Sequence, residues 1–203
     1  WILMASSPPY WEKSMSEPVT AAKCGALLDA LRVKKPLVHF ITNYVTVNDC
    51  ANITLAVGGA PVMSDQPDDA AEICRLASAL VFNIGTPGDR TLEAMLRAGK
   101  AANEAGIPVV LDPVGAGASS FRNRLLEKLL EEVKFAAVKG NISEIRFLAS
   151  GTGKSMGVDA STDDIALGSD SRAVARLAAG LSRGIGAVVM VRGRIEVGAD
   201  GER

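Results

Sequence analysis

The chain has 203 residues, of which 48% are hydrophobic, and a formal net charge of −1. This length and composition exclude a disordered chain and predict a globular protein, most simply of one domain. The near-neutral charge, without a long run of Lys or Arg, argues against nucleic acid or an anionic membrane as the main partner.

Cysteine and histidine usage narrows the possible chemistry. Cys24, Cys50 and Cys74 are widely spaced and odd in number, which fits neither a disulfide framework nor a zinc site. Reduced, mostly buried cysteines are typical of a cytoplasmic protein. The single histidine, His39, excludes any site that needs two histidines, and its apolar surroundings favour a structural role.

The first 18 residues differ from the rest of the chain. They open with Trp rather than Met and lack the basic flank and long apolar core of a signal peptide. No apolar stretch of the chain reaches the ~18 residues of a membrane span. We therefore expect residues 1–18 to be a disordered leader or a sequence artefact, and residues 19–203 to form the folded domain.

Apolar runs and amphipathic segments alternate along that domain. Short runs rich in Val, Ile, Leu and Ala predict strands, and segments with an apolar stripe at helical spacing predict helices. In chain order, we predict a helix at 19–33, a strand at 37–42, a helix at 47–59, a strand at 60–63, a helix at 66–78, a strand at 79–84, a helix at 89–106, a strand at 108–112, a helix at 121–133, a strand at 135–140, a helix at 142–150, a loop at 151–168, a helix at 171–186, a strand at 187–193 and the start of a polar hairpin at 195.

The predicted strands are continuous apolar runs and do not alternate between apolar and polar residues. This pattern is typical of a parallel sheet that helices bury on both faces. We therefore predict an α/β fold with a mostly parallel sheet. In such a fold the strands end along one edge of the sheet, where ligands bind.

The clearest candidate for chemistry is IPVVLDPVGAGASSFR at 107–122. Asp112 ends an apolar run, and Gly115 and Gly117 let the backbone approach a ligand closely. The helix that follows offers N–H groups to an anion. A carboxylate beside a phosphate-binding loop indicates Mg²⁺, which takes carboxylate and phosphate oxygens together. The alternative is that Asp112 only caps the next turn or helix, and spacing alone favours neither.

The next strand ends in a similar way, in VKGNISEI at 138–145. Glu144 is a candidate second carboxylate facing the same phosphates, and Lys139 a candidate cation that neutralises their charge. The alternative is a capping box in which Asn141 is the N-cap and Glu144 its partner three residues later. Spacing by itself favours the capping box.

Three further strands are followed by, or end in, residues that could face a ligand. Asn43 follows the strand at 37–42, Met63 ends the strand at 60–63, and Gly85 follows the strand at 79–84. A methionine at such a position usually belongs to the core, but its flexible thioether also suits contact with an apolar ring.

Five segments occur together and in order: HFITNYVTVNDCAN, GGAPVMS, ALVFNIGT, IPVVLDPVGAGASSFR and AAVKGNISEI. With these motifs, from about residue 20 to residue 203, the chain resembles the hydroxyethylthiazole kinase family of thiamine biosynthesis. The resemblance implies a ribokinase-like three-layer α/β sandwich, usually a homotrimer with active sites between subunits. It also implies ATP-dependent phosphorylation of the primary hydroxyl of 5-(2-hydroxyethyl)-4-methylthiazole, with Mg²⁺ as cofactor.

The same resemblance assigns roles to individual residues. The thiazole pocket is expected to be lined by Asn43, Met63 and Gly85. Mg²⁺ and the phosphates are expected to lie beside Asp112 and Glu144. Contacts to ATP are expected from Lys139, Asn141 and Arg192.

The chain departs from the family pattern in three places. Lys139 stands where the family commonly has an arginine, so the bidentate fork is lost. Arg192 stands where a threonine often contacts ATP. A later GTGC-like segment, which forms the family's anion hole and supplies the residue near the substrate hydroxyl, is not found before Arg203. We therefore expect a kinase domain truncated at its C-terminus, with the catalytic residue beyond it.

Two alternative functions stay open at this point. The first is another ribokinase-like small-molecule kinase, for a sugar or a hydroxymethylpyrimidine, which the five linked motifs disfavour. The second is a catalytically inactive ligand-binding α/β module, which the missing anion-hole segment favours.

Overall fold

The computed structural model describes residues 20–151, 171–194 and 196–201. The expected leader and most of the loop predicted at 151–168 lie outside these residues. The elements in chain order are α1 (Ala21–Lys34), β1 (Leu37–Ile41), α2 (Val47–Val57), β2 (Ala60–Met63), α3 (Pro67–Leu76), β3 (Ala79–Asn83), α4 (Asp89–Glu104), β4 (Val109–Asp112), α5 (Ser120–Glu132), β5 (Ala137–Asn141), α6 (Ile142–Gly151), α7 (Ser171–Ile185), β6 (Val188–Arg192) and β7 (Val197–Ala199).

The described strands form a single sheet with the order β2-β1-β3-β4-β5-β6-β7. Neighbouring strands from β2 to β6 are parallel, and β7 pairs antiparallel with β6. The prediction of an α/β fold with a mostly parallel sheet is therefore confirmed. The hairpin predicted at the end of the chain is confirmed by the pairing of β6 with β7.

The direction of the crossovers decides which face of the sheet each helix covers. Four successive crossovers, from β2 through β6, run the same way across the sheet, whereas the crossover from β1 to β2 runs the opposite way. Because such crossovers are right-handed in nearly all proteins, α3 to α7 lie on one face and α2 on the other. Helix α1 packs on α2. The sheet thus lies between two layers of helices.

The apolar core lies between the sheet and the layer of α3 to α7. Phe82 of β3 and Phe135, which precedes β5, meet edge to face with ring centroids 6.3 Å apart. On the opposite face alternate strand residues are only partly covered, and Met190 of β6 is 41% exposed. The continuous apolar strands predict that helices bury both faces of the sheet. One face is covered more completely than the other, because four crossovers of the same direction place most of the described helices on it.

Most predicted boundaries are within one or two residues of those in the structure. Helix α2 ends at Val57, two residues before the predicted end, because Gly58 adopts a left-handed φ of 104° and its N–H closes the last turn. Strand β5 begins at Ala137 rather than at residue 135. Among the described helices, none is long and apolar enough to cross a membrane.

Candidate active site

The parallel strands bring the predicted site residues to one edge of the sheet. Met63, Asp112, Asn141 and Arg192 are the last residues of β2, β4, β5 and β6. The remaining predicted residues lie within three positions of a strand's last residue, and they are Asn43, Gly85, Lys139 and Glu144.

A cleft of about 350 Å³ opens at the carboxyl ends of β4, β5 and β6. The predicted residues that line it are Asp112, Lys139, Asn141, Glu144 and Arg192. Asn43, Met63 and Gly85 lie at the ends of β1, β2 and β3 and are not part of its lining. The predicted metal and ATP residues thus share one hollow, and the predicted thiazole residues lie on the other half of the edge.

Two side chains contact the same carboxylate oxygen of Asp112. Asn83 Nδ2 donates to its Oδ2 over 3.0 Å, and Lys139 Nζ lies 3.5 Å from the same atom. Partial burial raises the pKa of the Asp112 carboxyl, Lys139 opposes that shift, and the nearby Glu144 carboxylate adds to it. The carboxyl therefore ionises less readily than an exposed aspartate, and a cation in the cleft would favour its charged form.

Glu144 is buried and hydrogen-bonded through both carboxylate oxygens. Its Oε2 accepts from the Asn141 N–H at 2.7 Å, and its own N–H donates to Asn141 Oδ1 at 2.9 Å, which forms the predicted capping box. Its Oε1 accepts from the Gly115 N–H at 3.0 Å. The capping-box interpretation is therefore correct for the local structure. Each oxygen keeps a further lone pair, so the same carboxylate can also face a cation in the cleft.

A glycine and an arginine fix the conformation of the loop after β4. Gly115 has a φ of 73°, a left-handed conformation that glycine adopts without strain, and it turns its N–H towards Glu144. Arg122 of α5 donates to the Val114 carbonyl at 2.9 Å and to the Gly85 carbonyl at 3.0 Å. One guanidinium thus connects the loop beside the cleft with the loop that carries Gly85.

The ends of β1 and β3 are joined through amide side chains. Asn43 Oδ1 accepts from the N–H groups of Val45 and Thr46, both at 3.0 Å, and its Nδ2 donates to Asn83 Oδ1 at 2.9 Å. A Cβ on Gly85 would lie 3.0 Å from the Asn43 Cβ and from Asn83 Oδ1. A larger residue at position 85 would therefore press on both asparagines, which would have to shift by a few tenths of an ångström.

Met63 lies on the edge strand β2, with Phe40 of β1 as its register partner. Its side chain is partly exposed rather than sealed in the core. Partial exposure on an edge strand is compatible with both interpretations of Met63, core residue and wall of a ring-binding pocket.

His39 is the buried histidine of β1. Its Nε2 donates to the Ser64 carbonyl over 2.8 Å, and its Nδ1 has no hydrogen-bond partner among the described residues. Burial lowers the pKa of the imidazole, against the smaller opposing effects of the Ser64 hydrogen bond and Asp69. The ring is thus neutral at pH 7 and ties β1 to the chain that leaves β2, in agreement with the predicted structural role.

Three residues beside the site were not predicted from the sequence. Asn83 links Asn43 to Asp112, Arg122 joins two loops, and Glu196 lines the cleft. A signal existed for Asn83, since it is a polar residue that ends an apolar strand. No comparable local signal distinguishes Arg122 or Glu196, because their contacts depend on distant segments.

The donor set of the cleft suits magnesium better than zinc. Among the residues that the structure describes, no group of three or more His, Cys, Asp and Glu side chains is placed to hold a metal ion. Mg²⁺ does not require such a cage, since it commonly takes one or two carboxylates and completes its shell with phosphate oxygens and water. Asp112 and Glu144 are two carboxylates of the cleft that could act as such ligands.

Comparison with known proteins identifies the family. The model of the hydroxyethylthiazole kinase family matches residues 28–203. The chain belongs to the hydroxyethylthiazole kinase family. This membership confirms the resemblance that the five motifs indicated.

Individual relatives agree with this family. A hydroxyethylthiazole kinase from Clostridium beijerinckii is 51% identical over 181 residues, which cover 89% of this chain and 65% of that protein. Another from Desulfovibrio desulfuricans is 53% identical over 171 residues, which cover 84% and 60%. The solved structure of a hydroxyethylthiazole kinase protein from Pyrococcus horikoshii OT3 matches with a TM-score of 0.74 at 35% identity, over 88% of this chain and 63% of that one. The chain spans less than two thirds of the length of these relatives.

Proposed function

We propose that the protein phosphorylates the primary hydroxyl of 5-(2-hydroxyethyl)-4-methylthiazole with ATP, as a step of thiamine biosynthesis and salvage. The observation that carries this proposal is the cleft in which Asp112 and Glu144 face one hollow together with Lys139 and Arg192. Family membership supports it, since the relatives named above are hydroxyethylthiazole kinases.

The charged cleft is the proposed site of the nucleotide's phosphates. Lys139 and Arg192 contribute positive charge against the phosphate oxygens, and Asn141, whose Oδ1 is occupied by the Glu144 N–H, has its Nδ2 to donate. Asp112 and Glu144 would hold Mg²⁺. When bound, the ion neutralises charge that builds up on the phosphates during transfer.

The carboxylates also determine how the cleft is arranged before a ligand enters. Both of these partners of Asp112 contact Oδ2, so Oδ1 is the oxygen that we propose for a cation. Glu144 receives two backbone N–H groups, so its position is fixed by β5, α6 and the loop after β4. Phosphoryl transfer depends chiefly on such alignment and charge placement and needs little covalent help from the protein.

The thiazole ring is proposed to bind at the other half of the edge, against Asn43, Met63 and Gly85. Met63 offers an apolar contact and Asn43 a polar one, which suits a small ring that carries heteroatoms. Apolar side chains near this half are exposed in the single chain, among them Tyr44 at 68% and Val45 at 82%. We therefore propose a cytoplasmic homotrimer in which a neighbouring subunit completes the ring pocket.

A substrate comparison tests the proposal. The protein expressed from its complete gene is incubated with ATP, Mg²⁺ and the thiazole alcohol, and the thiazole phosphate is measured by mass spectrometry. Hydroxymethylpyrimidine and ribose serve as competing acceptors. We expect transfer to the thiazole alcohol to exceed transfer to either competitor. Faster transfer to a competitor would identify another ribokinase-like kinase, and binding of the thiazole without transfer would identify a ligand-binding module.

A further inference from the structure

The side chain of Asn83 contacts both halves of the site at once. Asn83 is the last residue of β3 and the register partner of Asp112. Its Nδ2 donates to Asp112 Oδ2 at 3.0 Å, and its Oδ1 accepts from Asn43 Nδ2 and from the Gly85 N–H, both at 2.9 Å. One carboxamide therefore joins a proposed metal ligand to two proposed thiazole residues.

The orientation of this carboxamide follows from backbone groups that can only donate. The N–H of Gly85 requires an acceptor, so it selects Oδ1 of Asn83. The N–H groups of Val45 and Thr46 select Oδ1 of Asn43 and turn its Nδ2 towards Asn83. Nδ2 of Asn83 consequently faces Asp112, which must accept there.

A local turn explains only part of this arrangement. The bond from the Gly85 N–H, two residues along the chain, is an ordinary asparagine turn. The bonds to Asn43 and Asp112 span 40 and 29 residues of sequence, so they do not serve the turn. Both bonds are partly buried, where a lost partner is more damaging than at the surface.

We infer that Asn83 is a positioning residue that sets the place of Asp112 relative to the thiazole side of the site. The inference rests on the proposed function for its kinetic consequences. Its donor side holds Asp112 Oδ2, together with Lys139, and so fixes the carboxylate beside the cleft. Its acceptor half holds Asn43 and the Gly85 backbone.

Two substitutions separate the donor role of the Asn83 carboxamide from its acceptor role. Asn83→Asp keeps oxygen acceptors towards Asn43 and Gly85 but replaces the donor to Asp112 with a second carboxylate, which repels it. Asn83→Ala removes both the donor and the acceptor. Asn103→Ala is the matched control, because Asn103 is another partly buried asparagine, and its side chain makes two hydrogen bonds to the Lys134 backbone at 2.9 and 2.8 Å, away from the site.

The readouts are kcat, KM for the thiazole alcohol, and hydrogen exchange of the Asn43 carboxamide measured by NMR without substrate. For Asn83→Asp we expect kcat to fall about 100-fold while KM and exchange change less than about threefold. For Asn83→Ala we expect KM to rise and exchange to accelerate, each about tenfold, in addition to the loss of kcat. Asn103→Ala is expected to lower the melting temperature and leave all three readouts unchanged.

Each outcome decides the inference. It is overturned if Asn83→Asp keeps the parent kcat, or if Asn83→Ala changes the three readouts no more than Asn103→Ala does. If the parent protein does not phosphorylate the thiazole alcohol, the proposed function fails, and the exchange experiment still decides whether Asn83 holds the Asn43 carboxamide, which the inference requires. Faster exchange in Asn83→Ala together with parent-like exchange in Asn83→Asp supports that role, and unchanged exchange in Asn83→Ala overturns it.

Discussion

The carboxyl ends of β4, β5 and β6 form the charged half of the site, which contains the cleft. The ends of β1, β2 and β3 form the amide half, which presents amides, a methionine and a glycine. The charged half is built by segments of this chain, and its carboxylates are hydrogen-bonded in place. The amide half has Met63 partly exposed on an edge strand. The difference indicates that the chain by itself arranges the proposed phosphate site more completely than the proposed ring site.

Exposure of apolar side chains shows the same asymmetry. In and just before α2, the helix that connects β1 with β2, Val45, Ile53 and Leu55 are 82%, 62% and 59% exposed. Exposed apolar side chains commonly mark an interface where they form a patch. The asymmetry therefore accords with the proposal that a second subunit covers the ring-binding half.

Asp112→Asn is expected to have the largest effect on turnover, and to act only on the charged half of the site. The substitution keeps the shape of the side chain but removes the charge that would hold the cation, so we expect kcat to fall about 10³-fold. Thiazole affinity, measured by calorimetry, is expected to change less than about threefold because the ring lies on the other half. The control Asp29→Asn removes an exposed carboxylate of α1. Parent-like turnover in Asp112→Asn would exclude Asp112 from the metal site.

Glu144→Gln should damage both the cleft and its framework. An amide nitrogen would replace an oxygen that now accepts a backbone N–H, so we expect a loss of about 1–3 kcal/mol in the free energy of unfolding. Turnover should fall about 10²-fold. The control Thr20→Ala removes the N-cap of α1, which should cost about 1 kcal/mol with unchanged turnover. Full turnover and stability in Glu144→Gln would contradict both roles of Glu144.

Met63→Ala tests the amide half. Loss of the apolar contact is expected to weaken thiazole binding about five- to tenfold while kcat at saturating thiazole changes little. Met190→Ala is the matched control, since Met190 is a partly exposed strand methionine of β6. Calorimetric titration with the thiazole alcohol measures the difference. Equal affinities of Met63→Ala and the parent would return Met63 to an ordinary packing role.

His39→Gln should have the smallest effect, on the pH dependence of stability. Burial depresses the pKa of His39 from its usual 6.5, so its contribution to stability is present above pH 6.5 and is lost as the pH falls through the folded-state pKa. The slope from this one group is at most about 1.4 kcal/mol per pH unit. Glutamine retains a donor for the Ser64 carbonyl without titrating. Urea unfolding between pH 7 and 5 should show a smaller decline in His39→Gln than in the parent.

The difference between the parent protein and His39→Gln isolates the contribution of His39 to the pH dependence of stability. The raised pKa of Asp112 acts in the opposite sense, since the folded protein then holds a proton that the unfolded chain releases, and acidification in that window stabilises the fold. This effect is common to the parent and His39→Gln and cancels in their difference. Identical pH profiles of the two proteins would show that His39 is not the group that loses stability on acidification.

The sequence predicted the fold well because hydrophobic periodicity and turn residues are local signals. Val109–Asp112 illustrates this, since an apolar run ended by Asp-Pro marks both a strand and its last residue. The one-sided burial of Met190 was not predictable, because it depends on the direction of successive crossovers and on which helices cover each face. Composition of a single strand carries neither piece of information.

The site was predictable in its charged residues and not in its connections. Asp112 and Glu144 were found because each follows or ends an apolar run, and the strand order then brings both to one cleft. The links through Asn83 and Arg122 join segments about 30 to 40 residues apart, so they follow from register and loop geometry. The capping box was visible in the spacing of Asn141 and Glu144 because it is local.

The position of a bound divalent ion tests the central claim most directly. Crystals of the protein soaked with Mn²⁺ and a non-hydrolysable ATP analogue would locate the ion by its anomalous scattering. We predict a peak in the cleft between Asp112 and Glu144, about 2 Å from an oxygen of the Asp112 carboxylate or about 4 Å away through one water, with the nucleotide phosphates on the side of Lys139 and Arg192. A nucleotide-bound ion that contacts neither carboxylate, or a nucleotide bound outside this cleft, would contradict the account.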